Sequence, residues 1–274
     1  MDNYPIFRKR TFHRDMKLRY IATHHIWDRN IDEYTAFAEI IDWNARFICN
    51  WLSKAVRKQQ IETGSVNMLC FIQSPGKKKT EILESSNSLT SYIPLSMDDQ
   101  MRLRAMPCLT DRYEFYLSFI EKGYIEASKI IPLPLDILLG LHDRFRQGGY
   151  KNEWLFKKKQ IKEFGLYIYL NCYFTTSDFH LELEAYDLKK TRLIAKDVIL
   201  RTPPDEICFA KDFRSIRING SKLEILNFIG DVEIAINLEV LVDGYVSVEY
   251  VDGTYLKWEE KRERDRQLIQ RLTW

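Results

Sequence analysis

Gly165-Leu166-Tyr167-Ile168-Tyr169-Leu170-Asn171-Cys172-Tyr173-Phe174, then Thr175-Thr176-Ser177-Asp178, then Phe179-His180-Leu181-Glu182-Leu183-Glu184-Ala185-Tyr186 is the stretch on which the reading of this chain turns. Apolar and polar residues alternate through both arms, as in half-buried strands, and a polar turn separates them. A hairpin closed at 175–178 sets Phe174 opposite Phe179, Cys172 opposite Leu181, Leu170 opposite Leu183 and Ile168 opposite Ala185. Its other face pairs Tyr173 with His180, Asn171 with Glu182, Tyr169 with Glu184 and Tyr167 with Tyr186. One register satisfies both faces, and a slip of one residue would turn each side chain over.

Downstream the period stays near two. Strands are expected over 192–200, 206–210, 215–219 and 222–229. The clearest runs from Val232 to Val242, with Ile234, Ile236, Leu238 and Val240 on the same side. Asp243-Gly244 and Asp252-Gly253 are hairpin-turn signals. Consecutive strands with tight turns predict an antiparallel meander. The chain closes on a charged stretch, Glu259 to Leu272, read as a short helix.

Upstream the period is helical. Asn30 can cap a helix carrying Tyr34, Phe37, Ala38, Ile41, Ala45, Ile48, Leu52 and Ala55, with Glu33 completing a variant capping box. Further helices are expected over 97–105, 110–122, 135–146 and 152–162. A buried strand is expected over 66–73, a half-buried one around Met16–Tyr20, and a loop over 85–91. The expected fold is therefore α+β. A mostly helical N-terminal part (1–163) precedes an antiparallel β-meander with a terminal helix (164–274), as two domains or as layers of one.

The chain has 274 residues, enough for a substantial core. Its net charge of +2 gives no argument for an anionic partner. Cys49, Cys70, Cys108, Cys172 and Cys208 are scattered, without a Cys-x-x-Cys pair, which points to reduced thiols and away from a disulfide framework or zinc ribbon. No leader is visible, and no apolar run reaches the roughly 20 residues a membrane span needs. A cytoplasmic, soluble protein is expected.

G-x-S-x-G, P-loop, G-x-G-x-x-G and H-E-x-x-H motifs are all absent, and no cofactor is expected. Asp178, His180, Glu182 and Glu184 share one strand face at spacings of about 7 Å, near enough for metal ligation or acid–base work. A solvated sheet face has the same pattern. His24-His25 with Asp28 reads as a surface loop. His142, beside Leu138, Leu139 and Phe145, reads as a satisfied helix histidine. Lys77-Lys78-Lys79 and Lys157-Lys158-Lys159 read as solvated, with no nucleic-acid-binding motif beside them.

Tyrosine buries a large ring and still hydrogen-bonds, so it is enriched at interfaces. Tyr167, Tyr169, Tyr173, His180, Glu182 and Glu184 are the expected partner-binding residues. The expected function is non-catalytic binding of another protein, such as inhibition of a partner enzyme by an antidote of the toxin-immunity kind. Two other readings are a metal-dependent hydrolase or nuclease using Asp178, His180, Glu182 and Glu184, and a nucleic-acid-binding accessory protein.

Overall fold

Strands run through both halves of the chain, including the half whose sequence reads as helical. The computed structural model describes residues 16–25, 32–74, 79–209 and 213–251. Met16–Lys17 (β1) starts the described chain, followed by Tyr20–His25 (β2) and helix α1 (Asp32–Gln59). Glu62–Gly64 (β3) pairs with β1. Met68–Ser74 (β4), Glu81–Leu83 (β5) and Ser88–Pro94 (β6) follow. They form one sheet in the order β2-β4-β6-β5, in which β2, β4 and β6 are parallel and β5 is antiparallel. Helix α1 provides the crossover that parallel strands require.

Helices α2 (Met97–Ala105), α3 (Leu109–Ser128) and α4 (Leu135–Gln147) come next. A four-stranded antiparallel sheet then forms from β7 (Asn152–Ile161), β8 (Leu166–Phe174), β9 (Phe179–Asp187) and β10 (Leu193–Thr202), in the order β10-β9-β8-β7. After the short helix α5 (Glu206–Phe209) come β11 (Ser215–Asn219), β12 (Lys222–Leu226), β13 (Val232–Asn237), helix α6 (Leu238–Val242) and β14 (Val248–Tyr250). These four strands make a second antiparallel sheet in sequence order. No helix among the described residues is long and apolar enough to cross a membrane.

The expected fold class is corrected accordingly. The molecule is mostly β, with four sheets among the described residues, and its N-terminal part is not mostly helical. The physical reason lies in the parallel strands. Leu69, Cys70 and Phe71 of β4 are buried in succession, because both faces of the strand are covered. This is the buried strand expected over 66–73, read from its unbroken apolar run. In β6, Ser88, Thr90 and Ser91 are buried too, so a central strand carries the composition of a loop.

Three other segments change type. Residues 152–162 were expected to be helical, but the ladder with β8 makes them a strand; pairing overrides the helix preference of three lysines. The expected strand at 206–210 contains α5. The expected strand 232–242 ends at Asn237, whose side-chain oxygen accepts from the Glu239 and Val240 amides and caps α6. His24 and His25 end β2 and are not in a loop. Asp28, Asn30, Lys77, Lys78, Asp252-Gly253 and the expected terminal helix lie outside the described residues.

The hairpin forms in the register its two faces require, from Leu166 opposite Asp187 to Phe174 opposite Phe179. Its dry side, Ile168, Leu170, Cys172, Phe174, Phe179, Leu181, Leu183 and Ala185, is buried. Phe209 stacks on Phe179 at 3.8 Å between ring centroids, and Phe213 stacks at 5.5 Å. Leu223, Ile225, Ile234 and Ile236 of the last sheet join the same hydrophobic cluster.

Helix α3 packs closely on the parallel sheet at Gly123. A Cβ built there would stand 2.2 Å from the Phe71 ring, which itself meets Tyr124 edge-on. Overpacking by Gly123→Ala is expected to cost up to about 3 kcal/mol, which, after the roughly 1 kcal/mol that alanine gains in a helix, leaves a net loss of stability of up to about 2 kcal/mol. Denaturant melts of both proteins would measure it; a more stable variant would contradict the close approach.

Candidate functional site

Alternation places all six expected interface residues on one side of the hairpin. Tyr167, Tyr169, Tyr173, His180, Glu182 and Glu184 are each half-buried and reach solvent. The neighbouring strands extend this face in rows. Glu153, Tyr173, His180 and Arg201 form one row, followed by Leu155, Asn171, Glu182 and Val198. Lys158, Tyr169, Glu184 and Lys196 form the next. Gln160, Tyr167, Tyr186 and Leu193 complete the face.

The charges on this face are largely neutralised among themselves. The Lys196 ammonium donates to Glu184 at 2.8 Å and lies 2.9 Å from Glu182. Those two bonds hold the Lys196 pKa above its ordinary value. Tyr173 donates its hydroxyl to Glu182 at 3.1 Å, and its ring stacks on His180 at 4.9 Å. Tyr186 donates to Glu184 at 3.3 Å. Burial first, and then the Glu182 carboxylate, raise the Tyr173 pKa, so the phenol stays protonated. Tyr167 and Tyr169 lie 5.1 Å apart, with Lys190 3.8 Å above the Tyr167 ring.

The four residues of the metal reading do not converge. Asp178 is held by Arg201 and by the Thr175 hydroxyl. Its carboxylate is 3.6 Å from His180 Nδ1, beyond hydrogen-bond distance. Glu182 and Glu184 turn instead to Lys196. Among the described residues, no three His, Cys, Asp or Glu side chains are grouped so as to hold a metal ion. The arrangement offers aromatic rings, phenol edges and paired charges, which suit surface recognition.

Lys54 of α1 is an unusual group that the sequence did not disclose. Its ammonium sits 2.9 Å above the centre of the Trp154 ring and donates to Asn152 Oδ1 at 3.3 Å. Burial pushes it down to about 7, opposed by the nearby Glu206 carboxylate. Asn152 in turn donates to the Phe47 carbonyl and to Asn50. Beside this group a cleft of about 230 Å³ opens between β2, α1 and Asp205–Glu206, where Arg46 pairs with Asp205. Lys54 gave no signal because it is one polar position on an amphipathic helix, and its partner Trp154 lies in a segment read as another helix.

Cys172, on the dry side near Lys54, is pushed up to about 12 by burial and stays a thiol. Among the described residues, Cys49, Cys70 and Cys108 form no disulfide either. His142 does lie on a helix, but it is not a satisfied histidine. It is buried 5.5 Å from the Tyr124 ring, and neither of its nitrogens nor the Tyr124 hydroxyl has a hydrogen-bond partner among the described residues.

No family model matches this chain, and no curated protein or solved structure is significantly similar to it.

Proposed function

We propose that this chain is a non-catalytic protein-binding protein, and that the outer face of the β7–β10 sheet is its contact surface. One observation carries the reading. The carboxylates of the face are already paired with Lys196, Arg201 and tyrosine hydroxyls, so a partner meets a preassembled aromatic surface and few uncompensated charges. Rings held by their neighbours lose little freedom on binding, and buried aromatic anchors dominate interface energetics. Leu155 and Leu193, 46% and 47% exposed, extend apolar surface to both margins of the same face. Buried cysteines that form no disulfide among the described residues fit a reducing compartment, which supports a cytoplasmic location.

Tyr169→Ala with Tyr173→Ala is expected to weaken capture of the partner by at least about 2 kcal/mol, roughly thirtyfold, while leaving the melting curve cooperative. Affinity capture from the protein's own cells, with mass spectrometry, supplies the partner for that measurement. Unchanged capture by the folded double variant would remove this face from the interface. An inhibitor or antidote is the narrower form of the proposal. It requires that a partner enzyme lose activity in proportion to the complex formed.

A further inference from the structure

We propose that the outer edge of β7 receives an extended, acidic segment of a partner protein as a fifth strand of the β10-β9-β8-β7 sheet. The proposal rests on the reading of this sheet as a protein-binding surface, and it gives the partner a chemistry.

The two edges of the sheet differ. At β10, the Tyr250 hydroxyl donates to the Ile199 carbonyl at 3.1 Å. Gly244, just beyond α6, lies so near that a Cβ there would stand 3.3 Å from the Ile194 carbonyl. That edge is covered. Among the described residues, β7 has one strand partner, β8. Apart from that ladder, no hydrogen bond reaches the backbone of residues 153–160 from any described residue. Helix α1 meets only the start of the strand, at Asn152 and Trp154. Leu155 and the four residues from Lys157 to Gln160 are exposed. An open row of backbone donors and acceptors is a template for another strand.

Charge selects among the possible strands. Lys157 and Lys159 stand opposite Leu170 and Ile168, on one side of the sheet, while Lys158 stands opposite Tyr169, on the other. None of the three has an ion pair among the described residues. An incoming strand therefore meets positive charge on both faces, and acidic side chains answer it whichever way they point. A second copy fits poorly. Antiparallel pairing about a dyad at Lys158 opposes three lysines to three, and like charges directly opposite destabilise a ladder. Other registers within the strand offer those lysines only Glu153. The lysines thus guard the edge against self-association and leave it open to an acidic strand. Leu155 and Lys158 share rows with Glu182 and with Tyr169, so an added strand would also widen the aromatic face.

A fluorescent octapeptide of alternating glutamate and valine is the probe, followed by anisotropy at low salt. Saturable binding is expected, weakening as salt is added. It should fall about tenfold or more in K157E/K158E/K159E. The variant K157Q/K158Q/K159Q, checked by circular dichroism, covers the case in which charge reversal disturbs the fold. N-methylation of alternate peptide residues separates strand pairing from simple charge attraction. One methylated set should abolish binding and the other should leave it. Absent binding, or equal binding by both methylated sets, would overturn the proposal, as would tighter, lysine-dependent binding of a single-stranded oligonucleotide. The tyrosine double variant keeps the two ideas apart. Tyrosine-dependent partner capture without peptide binding leaves the face standing and removes the edge. Peptide binding with tyrosine-independent capture does the reverse.

Discussion

Leu183→Ala is expected to cost about 2–5 kcal/mol of stability, while Glu184→Ala, one residue further along, costs less than about 1 kcal/mol. Leu183 is fully buried opposite Leu170, so truncation removes apolar surface from the core and leaves a cavity. Glu184 lies on the half-open face, where Lys196 bridges it to Glu182. Its loss leaves Lys196 with one carboxylate partner and exchanges a partly screened pair for water. Urea or guanidinium melts of the two variants measure the contrast directly. Similar, small losses at both positions would mean that the hairpin does not separate a dry side from a wet one.

Acid is expected to destabilise the protein through His142. Burial, reinforced by the Arg146 cation, pushes this imidazole down to about 4, with Asp143 and Glu114 acting the other way. In the unfolded chain the same group titrates near its ordinary value of about 6.5. The unfolded state therefore binds more protons between those limits, and stability falls as pH falls. His142 alone should contribute a loss of about 2 kcal/mol between pH 7 and 5 and about 3 kcal/mol by pH 4. Carboxylates add their own acid dependence, so the informative quantity is a difference in slope. His142→Phe should flatten the pH 5–7 stability profile by about that amount. A variant whose profile runs parallel to that of the unaltered protein would show that His142 is solvated or already charged.

The hairpin and its register were legible in the sequence because both arms are half-buried. A two-sided environment writes a two-residue period, and only one pairing of these arms keeps Phe174, Cys172 and Leu170 dry. The same alternation placed Tyr167, Tyr169, Tyr173, His180, Glu182 and Glu184 on one face. Helices α2, α3 and α4 were legible as well, through amphipathic spacing and their stop signals at Pro107 and Gly148-Gly149.

Partners distant in sequence decided the rest. β4 was expected as a buried strand, but the buried serines and threonine of β6 read as a loop, and the parallel pairing of β2, β4 and β6 left no local mark. Residues 152–161 carry helix-forming lysines, yet pairing with β8, interrupted by a bulge at Phe156, makes them an edge strand. The same long-range placement put Trp154 under Lys54 and left both His142 nitrogens without partners among the described residues. Local sequence determines which side of an element is apolar. Which element covers that side, and what a buried amine or imidazole meets there, depends on contacts between residues distant in the sequence, and only tertiary packing creates them.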